Sequence, residues 1–191
     1  MQTPTSLTFK MVSEDWEYEQ IHRLNYQTFV QEIPQHEPNS EERRVDPFHA
    51  NNTYFLCLEV DTLIGMVSVN DTRPFSLDLK FQALDMTLDS ALDFNKSICE
   101  IRLLAVKKDH RHGRVVQGLL TMLVNHCIKR EYDLGIVSGT LTQEKFYDRL
   151  GFQPFGPVVG AVGAQFQPMS IDIKECRERL GSMLHPELNK S

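Results

Sequence analysis

The sequence predicts an α/β protein with a mixed central sheet of about six or seven strands flanked by helices. The first observation is the order of its patterns, which run strand, helix, strands and then strand, helix, strand, helix and strand. The second is the segment ICEIRLLAVK at 98–107, whose nearly unbroken apolar character is typical of a central strand. The third is length: because 191 residues bury a sizeable core without disulfides or metals, we expect a single domain over 1–191.

Local patterns predict the elements of the N-terminal half. SLTFKMV at 6–12 alternates as a strand does, and the acidic residues after Ser13 mark the first turn of a helix. Residues 34–52 are polar and interrupted by proline, which predicts a long loop. The apolar runs TYFLCLEV and LIGMVSVND flank a hairpin turn, and residues 72–97 are expected to form a loop with one short helix.

The C-terminal half begins with the apolar strand at 98–107. From Arg114 onwards, apolar residues recur at helical spacing, which predicts a long helix packed on the sheet. LGIVSGT then has the composition of a buried strand, and TQEKFYDRLG predicts a short helix that ends at Gly151. The last predicted strand is FQPMSIDI.

Composition excludes several functional classes. A formal net charge of -6 disfavours nucleic-acid binding, which depends on a basic surface. The 4 cysteines show no CxxC or Cys/His metal spacing, so we expect reduced core thiols, no metal and a cytoplasmic location. The first twenty residues do not resemble a signal peptide, and no apolar stretch is long enough to predict a transmembrane segment.

A basic turn precedes the long helix. The segment KKDHRHGRVV at 107–116 places cationic side chains beside the unpaired N–H groups of a helix N-terminus, and that combination attracts anions. The pattern therefore predicts a site for a phosphate-bearing ligand. The alternative is a solvated basic surface on an ordinary turn.

The segments LAVKKDHRHGRVVQGLL and KFYDRLGF resemble the signature of the GNAT superfamily of acyl-CoA-dependent acyltransferases. In that superfamily a turn Q/R-x-x-G-x-G/A opens a helix, and a later helix ends in Y-x-x-x-G-F; Arg111 matches the first motif, and Tyr147 with Gly151 and Phe152 matches the second. The resemblance implies the GNAT fold and an acyl-CoA or acyl carrier protein thioester as donor. It also implies the donor-binding residues, namely Leu104, Val106, Arg111, His112, Gly113, Arg114, Val115 and Val116.

The turn departs from the GNAT pattern at the positions of its small residues. Arg114 and Val116 stand there, and Gly113 comes one position early. In the superfamily those glycines let a pyrophosphate approach the backbone closely. This departure favours a carrier protein, whose pantetheine arm ends in a single phosphate, over a full coenzyme A.

Two residues are expected to move protons. Glu100 lies six residues before Val106, the spacing at which the histone-acetyltransferase branch of the superfamily has its general base. Tyr147 is the expected general acid for the departing thiolate. N–H groups near Val106 are expected to polarise the thioester carbonyl if a bulge splays this strand. The alternatives are an ion pair of Glu100 with Arg102, and a core tyrosine at position 147.

A narrower resemblance covers the upstream half. Arg23, Phe29 and the segments RVDPFH, GMVSVNDTRPFSL and CEIRLLAV are similar to the sequence blocks of acyl-homoserine-lactone synthases and of long-chain N-acyl amino acid synthases. This resemblance implies acyl carrier protein as a partner. It also suggests that Asp46 holds the amino group of the acceptor and that Arg73 holds a carboxylate.

Together these observations predict an N-acyltransferase that moves an acyl group from a thioester to the amine of a small, amino-acid-like acceptor. One alternative is a short-chain N-acetyltransferase that uses acetyl-CoA. Another is a non-catalytic GNAT-like module that binds acyl thioesters. The presence of both Glu100 and Tyr147 favours an enzyme over the module.

Overall fold

The computed structural model describes residues 6–92, 95–111, 113–160 and 165–184. In this part of the chain seven strands form one sheet, accompanied by five α-helices. The strands are β1 (Leu7–Met11), β2 (Asn52–Glu59), β3 (Thr62–Asn70), β4 (Ile98–Val106), β5 (Leu134–Thr140), β6 (Gln153–Pro154) and β7 (Phe166–Asp172). The helices are α1 (Asp15–Tyr26), α2 (Ser76–Gln82), α3 (Arg114–Lys129), α4 (Glu144–Leu150) and α5 (Ile173–Leu184).

The sheet is mixed, as predicted. Its strand order is β1-β2-β3-β4-β5-β7-β6. β4 pairs with β5 in parallel over Ile98–Glu100 and Leu134–Ile136, whereas β7 is antiparallel to β5 along the whole of Leu134–Thr140. Parallel strands need a crossover, and α3 supplies it between β4 and β5. The α/β class and the mixed sheet of seven strands are confirmed.

Two helical segments differ from the sequence prediction. α1 continues without a break into a π-helix, Gln27–Glu32, in which the Ile33 N–H donates to the carbonyl of Thr28. α5 follows the last strand and was not predicted. Its buried residues Ile173, Cys176 and Leu180 nevertheless recur at helical spacing, so the sequence does carry the signal for this helix.

The described chain divides into two compact units. The first comprises the residues up to Val69 together with Arg102–Leu123, and the second comprises Asn70–Ile101 together with the residues from Val124 onwards. The core of the first unit consists of Ile21, Leu24, Tyr54, Leu56, Leu58, Leu63, Met66 and Ala105. The core of the second consists of Phe75, Leu77, Phe81, Leu88, Leu134, Ile136, Val159 and Phe166.

In the first unit a glycine brings a helix close to the sheet. A Cβ added to Gly65 of β3 would lie 2.7 Å from Val115 Cγ1 and 3.1 Å from Leu119 Cδ1, both on α3. Because glycine lacks that atom, the first turn of α3 packs directly on β3. Gly65 therefore helps to fix where the basic turn ends and the helix begins.

All four cysteines are buried and free of disulfides. Cys99 and Cys127 lie with their Sγ atoms 3.8 Å apart in the second unit. Burial raises the pKa of Cys57 to about 11 and that of Cys176 to about 12. The pKa of Cys99 is also raised, first by its hydrogen bond with Cys127 and then by burial.

None of the helices described is long and apolar enough to cross a membrane.

Candidate active site

Glu100 is a buried carboxylate that holds the start of α2. Its residue is only 1% exposed, and its oxygens accept hydrogen bonds from Ser76 N at 2.9 Å, Ser76 Oγ at 2.7 Å and Leu77 N at 3.0 Å. The first N–H groups of a helix have no partner within the helix, and a buried carboxylate needs donors. The same hydrogen bonds satisfy both the first N–H groups of the helix and the buried carboxylate, which explains why an acid occurs in an apolar strand.

Tyr147 packs its ring against a glycine of β5. A Cβ added to Gly139 would lie 2.9 Å from Tyr147 Cε2, and the Phe152 ring meets the Tyr147 ring edge to face at 5.5 Å. Burial raises the pKa of Tyr147 to about 12, so its hydroxyl keeps the proton at neutral pH. The residue therefore has the protonation state of a general acid, and it is also a core tyrosine.

Glu100 and Tyr147 lie in the same unit but on opposite faces of the sheet. Glu100 is in register with Ile136, whose side chain packs with Leu77 and Phe81 of α2. Gly139 is three residues beyond Ile136, and alternate residues of a strand face opposite sides. The helix α2 covers the face of Glu100, and α4 with Tyr147 covers the other face.

The second half of β4 contains a residue in the left-handed conformation. Leu103 has a φ of 51° although it is not glycine. Such a residue within a strand is typical of a bulge, which interrupts pairing and turns side chains from their regular alternation. Leu104 is half-buried and Val106 is buried. A backbone irregularity typical of a bulge therefore lies three residues before Val106, in the strand whose N–H groups are expected to act only if it is splayed.

Arg111 of the basic turn bonds the end of β4 and the end of the π-helix. Its Nε donates to the carbonyl of Val106 at 2.8 Å, and its Nη2 lies 2.5 Å from Glu32 Oε2 at the end of the π-helix. These contacts fix the guanidinium of Arg111 beside the turn while its side chain stays partly exposed. The ion pair with Glu32 joins residues 79 positions apart in the sequence, so the local pattern could not reveal it.

The remaining residues that were predicted to bind the donor lie around the start of α3. Gly113 has a φ of 65°, and a Cβ added to it would contact nothing within 4 Å. Arg114 is exposed, Val116 is half-buried, and Val115 is buried against Gly65. His112 lies outside the described residues. The side chain of Val115 therefore belongs to the core, whereas Arg114 is available to an anion.

Asp46 is bonded to a cation of the same unit. It is 6% exposed, with Oδ1 2.8 Å from Arg102 Nη2 and Oδ2 2.7 Å from Asn52 Nδ2. The guanidinium of Arg102 also lies 4.4 Å above the ring of Phe48. Because the carboxylate is buried and occupied, an amine would reach Asp46 only by displacing Arg102 or Asn52.

Arg73 is also held by carboxylates, in the second unit. Its Nη1 lies 2.6 Å from Asp89 Oδ1, and its Nε and Nη2 bond the carboxylate of Asp78 on α2. Both carboxylates are close in sequence, but nothing in the local pattern marks them as partners of Arg73. The binding of an acceptor carboxylate by Arg73 stays a prediction.

The sequence did not single out three polar residues that bond Glu100, Asp46 or the strand β5. Ser76 bonds Glu100, as described above. Lys80 of α2 donates to Ser138 Oγ at 2.7 Å and lies 4.6 Å from the centre of the Phe166 ring. Asn52 bonds Asp46. Among the described residues, no group of three or more His, Cys, Asp or Glu side chains could hold a metal ion.

A family model of N-acyl amino acid synthases, described by the name of its member FeeM, matches residues 20–172. The chain belongs to this family. It is therefore an acyltransferase, and the interpretation as a non-catalytic module is set aside. A search of curated proteins finds no match.

Solved structures of the same fold include synthases of this kind. The acyl-homoserine-lactone synthase LasI superposes with a TM-score of 0.75 at 17% identity, covering 92% of this chain and 95% of its own. BjaI, a CoA-dependent acyl-homoserine-lactone synthase with SAM and isopentyl-CoA, gives 0.73 at 20%, covering 96% and 90%. FeeM from uncultured soil microbes gives 0.67 at 16%, covering 91% and 94%. A structure classed with the GNAT acetyltransferases gives 0.56 at 14%, covering 88% and 99%, which supports the GNAT fold.

Proposed function

We propose that this acyltransferase is an N-acyltransferase, which moves an acyl group from a carrier-protein or coenzyme A thioester to the amine of a small, amino-acid-like acceptor. The observation that carries the proposal is the N-acyl amino acid synthase match, which spans 20–172 and so includes Glu100 and Tyr147. The match covers the two residues that the sequence nominated for proton transfer. It also covers β4, the basic turn and α3.

The reaction needs one proton removed and another supplied. An amine that attacks a thioester carbon must lose a proton, and the thiolate that leaves must gain one. We assign the first task to Glu100 and the second to Tyr147. The raised pKa of Tyr147 supports the second assignment, because its hydroxyl keeps at neutral pH the proton that an acid must give.

The carbonyl oxygen of the thioester needs hydrogen-bond donors as it gains negative charge. We assign this role to backbone N–H groups near Val106. The left-handed Leu103 supports the assignment, because a bulged strand releases N–H groups from regular pairing.

For the donor we favour an acyl carrier protein over coenzyme A. Arg114 and Val116 replace the small residues that admit a pyrophosphate, while one phosphate needs less close approach. Lys108 and Arg114 are exposed and Lys107 is half-buried, so the turn presents cations to an acidic partner. Encounters of oppositely charged proteins are steered by this attraction and weakened by salt.

For the acceptor we propose that Asp46 binds the amino group and Arg73 binds a carboxylate. Each residue would exchange a partner within the protein for a group of the substrate. Asp46 would release Arg102 or Asn52, and Arg73 would release Asp78 or Asp89.

The test is a comparison of donors of one acyl chain length, carried by coenzyme A or by acyl carrier protein, against a panel of amino acids. Thiol release gives the rate, and mass spectrometry of the products identifies the amide. We expect the carrier-protein thioester to react faster and its advantage to shrink as ionic strength rises.

A pair of double variants tests the docking surface. Lys107→Glu with Lys108→Glu should slow the carrier-protein reaction more than the coenzyme A reaction. Lys145→Glu with Lys174→Glu, which changes two exposed lysines of the second unit, is the matched control. Faster reaction with acetyl-CoA than with any carrier-protein thioester would instead identify a short-chain acetyltransferase.

A further inference from the structure

We propose that the hydroxyl of Ser76 relays the proton of the acceptor amine to Glu100. The inference rests on the proposed function, in which Glu100 is the base. It assigns a catalytic role to a residue that the sequence did not single out.

Burial of Glu100 motivates the relay. At 1% exposure the carboxylate offers almost no surface to an incoming amine. Ser76, by contrast, is half-buried, and its Oγ lies 2.7 Å from Glu100 Oε1. The serine residue therefore keeps surface that the carboxylate behind it lacks.

The chemistry of the donors distinguishes Ser76 Oγ from the other two donors described above. The hydrogen bonds from Ser76 N and Leu77 N come from backbone amides, which do not pass a proton on at neutral pH. A serine hydroxyl donates and accepts at once. It can give its proton to Oε1 while it takes another from an amine.

The proposed step transfers two protons in concert with the attack of the amine. The amine nitrogen forms a bond to the thioester carbon, and the carbonyl electrons move onto oxygen. The amine proton passes to Ser76 Oγ as the Ser76 proton passes to Glu100 Oε1. The electrons then return from oxygen, the C–S bond breaks, and the thiolate takes a proton from Tyr147. Glu100 afterwards returns its proton to water through Ser76, and Tyr147 is reprotonated from water.

The alternative role of the Ser76 hydroxyl is to anchor α2. Substitution separates the two roles, because Ser76→Ala removes only one of the three hydrogen bonds described above. The two backbone N–H groups still hold the helix to the carboxylate. A hydroxyl that serves only as an anchor should therefore leave the proton-transfer step unchanged.

The experiment compares Ser76→Ala and Ser76→Thr with wild type in steady-state acyl transfer. We expect Ser76→Ala to lower kcat about 10²-fold, the lower end of the contribution of a general base, with KM for the donor unchanged. Ser76→Thr retains a hydroxyl and should keep most of the activity. Ser90→Ala is the matched control, since Ser90 Oγ donates to a carbonyl at 2.7 Å in the same unit.

A second readout is the rate in mixtures of H₂O and D₂O. Because two protons move in the same step, the wild-type rate should depend on the deuterium fraction along a curve. The rate of Ser76→Ala should follow a straight line. Unchanged kcat in Ser76→Ala, or a straight line for wild type, would overturn the relay; the wild-type measurement decides even if the variant does not fold. Absence of acyl transfer by wild type with every donor would instead refute the proposed function.

Discussion

At the scale of single residues, the carboxylate oxygens of Glu100 have two roles. They hold the first turn of α2, and in the proposed reaction they accept a proton. The first role is visible in the three hydrogen bonds from Ser76 and Leu77. A substitution therefore has to be interpreted for both activity and stability.

Glu100→Gln should lower kcat about 10²–10⁴-fold near neutral pH, with a smaller loss at high pH where the free amine is abundant. It should also destabilise the protein by about 1–3 kcal/mol, because the new NH₂ group faces an N–H donor. Kinetics over a range of pH and thermal unfolding measure the two effects.

Glu17→Gln is the matched control for Glu100→Gln. Glu17 is also 1% exposed and accepts from the backbone N–H groups of Ser13 and Glu14 at the start of α1. It should show the loss of stability without the loss of kcat. An unaltered pH–rate profile in Glu100→Gln would leave Glu100 with the anchoring role alone.

Tyr147→Phe should reduce kcat while the melting temperature stays close to that of wild type. The pKa of about 12 keeps the hydroxyl protonated as an acid requires, and the ring packing survives the change. Tyr54→Phe is the contrast: the Tyr54 hydroxyl bonds Asn52 and His49, so its removal should cost about 1–3 kcal/mol. A comparable loss of stability in Tyr147→Phe would show that its hydroxyl is structural.

At the scale of elements, the position of α4 on β5 decides where the Tyr147 hydroxyl lies. Gly139→Ala would place a methyl group 2.9 Å from Tyr147 Cε2 and 3.2 Å from Met169 Sδ, so the ring must move. We expect a lower kcat with little change in donor KM. In the Tyr147→Phe background, Gly139→Ala should lower kcat little further, because the hydroxyl is already absent.

Gly181→Ala serves as the control, since a Cβ there meets nothing within 4 Å. Equal losses of activity from Gly139→Ala in both backgrounds would show a general disturbance of packing. Thermal unfolding of all four variants separates that outcome from displacement of the hydroxyl.

Elements with strong periodicity were predictable from the sequence. The apolar β4, the amphipathic α3 and the helix that ends at Gly151 all formed where the pattern placed them. The π-helix after α1 was not predictable, because it differs from an α-helix by one residue per turn and leaves the apolar pattern almost unchanged. The ion pairs of Arg111 and Asp46 were hidden for another reason: their partners Glu32 and Arg102 are distant in the chain.

At the scale of the whole molecule, stability should fall as the pH drops below neutrality. His22 Nδ1 lies 3.2 Å from Arg43 Nη2, and the His49 ring is 5.0 Å away. Burial, followed by the charges of Arg43 and His49, lowers the pKa of His22 below its usual 6.5. The folded protein then binds fewer protons than the unfolded chain, so stability is full above pH 6.5 and declines below it.

The measurement is the melting temperature of wild type and His22→Gln between about pH 5 and 7.5, a window above the ordinary pKa of carboxylates. Gln keeps an acceptor for Arg43 but does not titrate, so its melting temperature should depend less on pH. Identical slopes for the two proteins would contradict this assignment to His22.

The burial of the four cysteines has a practical consequence for enzymology. Acyl transfer from a thioester liberates a thiol, and coloured disulfide reagents that detect it react with thiolates. The native protein should contribute almost no signal of its own, since its sulfhydryls are covered and those of Cys57, Cys99 and Cys176 have raised pKa values. Turnover can therefore be followed continuously without replacing any cysteine, and a cysteine introduced on the surface can be labelled selectively against this silent background.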